Sequence, residues 1–136
     1  MANYKVSDIE GIGPAFSAKL QTAGVRSLNA LLEKGCSRKG RKELSEKSGI
    51  EESTILKWVN MADLYRVKGV GSEYSELLEK AGVDTVKELR NRKPENLQAK
   101  LVEVNAEKKL VRQVPGLKSV QKWVEAAKKL DPKVTY

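Results

Sequence analysis

The feature that most constrains the fold is an internal repeat. A shift of 58 residues lays Ile9-Glu10-Gly11-Ile12-Gly13 on Val67-Lys68-Gly69-Val70-Gly71, Phe16 on Tyr74, Leu20 on Leu78, and Ala23-Gly24-Val25 on Ala81-Gly82-Val83. A shift of 65 lays Ile55, Trp58, Val59 and Ala62 on Val120, Trp123, Val124 and Ala127, with seven extra residues falling in the second copy. Self-similarity at a fixed spacing is the mark of one supersecondary unit used twice. The expected organisation is two related halves, 1–64 and 65–136, with no Ser/Gly-rich linker between them. We expect them to pack as one compact pseudo-two-fold unit.

Helical signals recur in both copies and no alternating strand pattern competes, so the expected fold class is all-α. Pro14 suits the first turn of a helix, where its missing N–H is harmless, and Gly24 falls where a left-handed C-terminal cap would lie, giving a helix over about 14–23. Further helices are expected over 27–34, 41–47 and 94–111, and in the last stretch to about 130 after the break at Val114-Pro115-Gly116. Thr85-Val86-Lys87-Glu88 has the form of a capping box. Ile55, Trp58, Val59 and Ala62 recur at i, i+3, i+4 and i+7, the period of a buried helical stripe, so Trp58 and its repeat partner Trp123 read as core anchors.

The chemistry available is narrow. There is no histidine and one cysteine, Cys36, so a disulfide framework, a Cys/His zinc site and a histidine-based triad are excluded. Carboxylates alternate with Lys and Arg as on solvated helices, and we expect no enzymatic activity. A net charge of +8 favours polyanions. No apolar run approaches a membrane span and the first residues lack the apolar stretch of a signal peptide, so a cytoplasmic location and no membrane partner are expected.

Gly-apolar-Gly followed by a helix start suggests a tight turn whose amides stand beside the positive end of a helix dipole, an arrangement suited to phosphate. It is neither a Rossmann loop nor a P-loop, since the third glycine, the preceding strand and a Gly-Lys-Ser/Thr end are all missing.

The stretches "DIEGIGPAFSAKLQTAGVRSLNALL" and "RVKGVGSEYSELLEKAGVDTVKEL" resemble helix-hairpin-helix elements in tandem. With "GIEESTILKWVNMADLYRVKGVG" and "KPENLQAKLVEVNAEKKLV", the chain is similar over nearly its whole length to an uncharacterised bacterial family of tandem helix-hairpin-helix proteins, a domain of unknown function. In DNA-repair and replication proteins such hairpins bind DNA without sequence preference, through backbone amides that contact phosphate. The resemblance places those contacts at Gly11, Ile12, Gly13 and Phe16 in the first copy and at Gly69, Gly71 and Tyr74 in the second. It also implies a monovalent cation when DNA is bound, held by carbonyls of Ser7, Ile9 and Ile12 or of Tyr65, Val67 and Val70. Ser17 and Ser75 stand where the family pattern usually has alanine.

The copies differ in charge. No acid follows Gly13 before Lys19, and Arg26, Arg38, Lys39, Arg41 and Lys42 follow, so this surface is expected to meet phosphates. Gly71 is followed by Glu73, Glu76 and Glu79, which oppose an anion. Residues 93–136 carry ten Lys and Arg against five acids, and Lys118, Lys122 and Lys129 share a helical face. The expected function is sequence-independent binding of a DNA backbone. The alternative is a protein-interaction module in which the hairpins only pack.

Overall fold

The computed structural model describes residues 5, 6, 9 and 12–135. Among them are eight α-helices and no strand; extended pairing is limited to one antiparallel bridge between Lys5 and Ser27. No helix of the described residues is long and apolar enough to cross a membrane. The chain divides into two units: the described residues up to Asp63 together with those from Lys133 onward, and Leu64–Pro132.

The first unit holds α1 (Pro14–Thr22), α2 (Leu28–Gly35), α3 (Arg38–Ser48) and α4 (Glu52–Leu64), whose last residue opens the second unit. Serines start two of these helices: the Ser27 hydroxyl accepts from the Ala30 N–H and that of Ser37 from the Gly40 N–H, each at 3.1 Å, satisfying amides that a helix start leaves unpaired. A side chain on Gly40 would run into the Lys34 carbonyl, so glycine lets α3 press against the end of α2. Leu20, Leu28, Leu31, Leu32, Leu44, Ile55 and Val59 are buried, and Trp58, 3% exposed, is buried with them as the stripe predicts.

The second unit holds α5 (Ser72–Lys80), α6 (Val86–Leu89), α7 (Pro94–Lys108) and α8 (Leu117–Lys128). Leu77, Leu78, Val83, Leu89, Leu97, Leu101, Val120 and Val124 form its core with Trp123, which is 4% exposed. Helix α7 stops three residues short of the expected Val111. Lys109 takes the left-handed conformation (φ 51°), and the Asn105 side chain pairs with both main-chain groups of Val111, donating to its carbonyl (3.1 Å) and accepting from its N–H (3.0 Å). The capping box at Thr85 is only half made. Glu88 accepts from the Asp84 N–H at 2.9 Å instead of reaching Thr85, whose side chain makes no cap hydrogen bond.

Residues 58 apart make matching local bonds within each unit. The Ile12 N–H donates to the Ile9 carbonyl (3.2 Å) and the Val70 N–H to that of Val67 (3.1 Å). Ser17 donates to Gly13 (2.9 Å) and Ser75 to Gly71 (2.8 Å), Val25 to Leu20 (2.8 Å) and Val83 to Leu78 (2.9 Å). Gly24 and Gly82 both adopt positive φ, 88° and 93°, just after α1 and α5. The buried Ser17 and Ser75 are accommodated by hydrogen bonds: Ser17 accepts from the Gln21 amide at 3.3 Å and Ser75 donates to the Ser72 carbonyl at 2.9 Å.

Candidate functional site

The first glycine turn ends at Gly13, which caps α1 from an extended conformation (φ −79°, ψ 178°). Glycine offers no side chain to cap the helix, Pro14 has no N–H, and the first turn of α1 contains no acid. The Ser17 N–H is taken by the Gly13 carbonyl, while the amides of Ala15 and Phe16 lie ahead of the helical ladder and have no acceptor within it. A Cβ built on Gly13 would meet nothing within 4 Å. Positive φ is therefore not why glycine stands here; what it provides is an unobstructed approach to the backbone at the positive end of α1. Ile12 is buried and anchors the turn from inside. Gly11 and Ser7 lie outside the described residues.

Phe16, 37% exposed, packs edge-on against Trp58 with ring centroids 5.2 Å apart, and the Lys19 ammonium stands 5.6 Å from the Phe16 centroid. An aromatic anchored on the core thus holds a cation one turn along α1, a contact worth about 0.5–1 kcal/mol at an exposed site. Arg26, Arg38, Lys39 and Lys42 are exposed.

Arg41 corrects the sequence reading. It is 4% exposed, and its guanidinium donates to the Gly35 carbonyl at 2.9 Å and to the Thr135 carbonyl at 2.7 Å. It lies three residues before the buried Leu44, on the inner face of α3, where a five-donor planar group satisfies carbonyls at the end of α2 and near the C-terminus. Its burial sets it apart from the exposed Arg38, Lys39 and Lys42. A hollow lined by Ala23, Lys34, Gly40 and Lys47 brings α3 beside the residue that follows α1.

In the second turn both glycines are described, and they are kept for different reasons. Gly69 has φ +92°, and a Cβ there would lie 3.1 Å from the Trp123 indole nitrogen, so both conformation and space require glycine. Gly71 caps α5 from an extended conformation (φ −108°, ψ −162°) with nothing within 4 Å of a built Cβ, but Glu73 occupies the first turn. Tyr74 packs against Trp123 with centroids 5.3 Å apart, and its hydroxyl donates to the Gln113 carbonyl at 3.2 Å. Beyond α5, burial, then the Glu88 and Glu79 carboxylates, raise the Asp84 carboxyl above its usual range. The carbonyls of Ile9 and Val67, named for a cation, each already accept a turn hydrogen bond, which leaves each a second lone pair for an ion.

One paired feature escaped the sequence reading. The Lys34 ammonium donates to the Gly24 carbonyl at 3.1 Å and the Arg92 guanidinium to the Gly82 carbonyl at 3.0 Å, so a cation ties off the left-handed glycine after each of α1 and α5. Lys34 and Arg92 are 58 residues apart, the repeat spacing, and that coincidence was the available signal.

Neither the curated proteins nor the solved structures compared with the chain contain a match. A family model, described as Domain of unknown function (DUF4332), matches residues 10–130, nearly the whole chain, and the protein belongs to that family.

Proposed function

We propose that this protein is a non-enzymatic nucleic-acid-binding module whose first glycine turn, acting as the hairpin of a helix-hairpin-helix element, takes the sugar-phosphate backbone of DNA without sequence preference. The observation that carries the proposal is the open approach at Gly13. An extended glycine with empty space at its Cβ position precedes a helix whose leading amides have no capping side chain and whose first turn has no acid. A phosphate there receives main-chain hydrogen bonds and the favourable end of the dipole. Lys19, held over Phe16, adds a charge one turn along, and the exposed Arg26, Arg38, Lys39 and Lys42 extend the attraction beyond the first phosphate. Contacts of this kind fix position on a strand and carry no base information.

Glu73 beside Gly71 favours a second role for the other turn, contact with protein or internal packing. Fluorescence anisotropy with short duplex and single-stranded DNA at two salt concentrations separates DNA binding from a purely protein-docking module. Neutralising each phosphate lowers log K by about 0.9 per unit of log salt for duplex DNA, so affinity in the micromolar range at low salt should fall steeply as salt rises. Absence of binding at low salt, or an affinity indifferent to salt, would favour the docking module.

A further inference from the structure

On the α8 side of the second turn, the surface carries donors that the proposed contact at the first turn does not use. A hollow of about 410 Å³ is lined by Lys68, Gly69, Ser119, Lys122, Trp123 and Ala126. No carboxylate is among these residues, and the side chains of Lys68, Ser119, Lys122 and Trp123 all bear hydrogen-bond donors. Trp123 is 96% buried, and its indole nitrogen points at the gap left by the missing Gly69 side chain, 3.1 Å from where a Cβ would stand. Among the described residues the indole N–H has no hydrogen-bond partner. An indole N–H can only donate, and the two ammonium groups beside it can only donate. The ligand that completes this set is an anion with several acceptor oxygens.

We propose that this hollow binds a phosphate monoester or inorganic phosphate, with one oxygen on the Trp123 indole N–H and the remaining charge between Lys68 and Lys122. Phosphate offers more acceptor oxygens than a carboxylate, and charge-assisted bonds to it are short and strong. The organic part of an ester has room in a second hollow that shares Lys122 and Ala126 and is bounded by Gln121 and Lys129. The acid there, Glu125, is engaged by Lys128 at 3.2 Å. The site is particular to the second unit: the residue matching Lys68 at the repeat spacing is Glu10. It does not depend on Gly13, so it stands or falls separately from DNA binding at the first turn.

The test uses the full chain labelled with ¹⁵N. Its two indole N–H resonances, from Trp58 and Trp123, are assigned with a Trp58→Phe variant. Inorganic phosphate, adenosine 5′-monophosphate and acetate are titrated at constant ionic strength. The expected result is a saturable shift of the Trp123 resonance with phosphate, with a much smaller change at Trp58. Lys68→Gln combined with Lys122→Gln should weaken binding roughly tenfold or more while the melting temperature holds. A tighter response to the nucleotide than to inorganic phosphate identifies an ester as the ligand, and an equal response identifies the free anion. A Trp123 resonance that does not move, an equal response to acetate, or unchanged binding in the folded double variant would overturn the site.

Discussion

Gly13 and Gly71 both cap a nine-residue helix from an extended conformation with open space where a side chain would begin, and each helix carries an aromatic packed on a buried tryptophan. The side chains around them diverge in charge. Ala15, Ala18, Gln21, Arg26 and Ala30 around the first turn are matched, 58 residues on, by Glu73, Glu76, Glu79, Asp84 and Glu88. On the other side of the turn the sign reverses, with Glu10 matched by Lys68. Similar local hydrogen bonding at the two glycines thus goes with two different surfaces, one with no acid in the first turn of its helix and one with Glu73 there. On the proposed reading, these substitutions and not the turn itself decide what each turn binds.

The heaviest loss of stability separates a buried structural arginine from an exposed one. Arg41→Ala removes two hydrogen bonds from a charged donor and strands the Gly35 and Thr135 carbonyls, so urea denaturation should show a loss of about 3 kcal/mol. Arg92→Ala, at an exposed contact in the second unit, should change stability by about 0.5 kcal/mol or less. An Arg41→Ala protein as stable as the parent but unable to bind DNA would return Arg41 to the interface.

Next in size is the contrast within the second turn. Gly69→Ala forces an L-residue to φ near +92° and crowds the indole, and should cost about 1–2 kcal/mol. Gly71→Ala, extended and unobstructed, should cost no more than about 0.5 kcal/mol. Equal costs would mean that the two glycines are kept for the same reason.

The smallest effect probes the acidic surface of the second unit. Burial and the neighbouring Glu88 and Glu79 raise the Asp84 pKa above the ordinary 3.8, so in that acid window the folded state binds more protons than the unfolded state. Its contribution therefore falls as pH rises through the window, leaving charged Asp84 a small standing cost at neutral pH. Asp84→Asn should raise the melting temperature slightly at pH 7, and the gain should fade below the raised pKa, where the parent side chain is already neutral. A lower melting temperature at pH 7 would show that the ionised carboxylate is stabilising.

Much of the helical fold was legible because helix signals are local. Pro14, Gly24 and the Trp58 stripe carry their own conformational preferences, and the structure places them as read. The misplaced helix end near Val111 and the half-made box at Thr85 depend on side chains choosing between backbone partners, Asn105 bonding Val111 and Glu88 bonding Asp84. Arg41 was misread because charge alone does not distinguish it from Lys39 or Lys42. Its spacing of three from Leu44 placed it on the inner face, and a helical wheel of α3 would have shown this. The donor set at Lys68, Lys122 and Trp123 joins residues more than fifty positions apart, which only the folded second unit brings together.

In the proposed function, backbone amides at the first turn hold DNA, and diffuse attraction to a +8 chain does not suffice. Gly13→Val leaves net charge unchanged and fits the extended backbone, and its side chain would enter the space a phosphate needs. Measured by anisotropy at low salt beside Gly71→Val, with folding checked by circular dichroism, Gly13→Val should lose roughly tenfold or more in DNA affinity while Gly71→Val stays near the parent. A folded Gly13→Val protein that binds as the parent does, or an equal loss in both variants, would contradict the account.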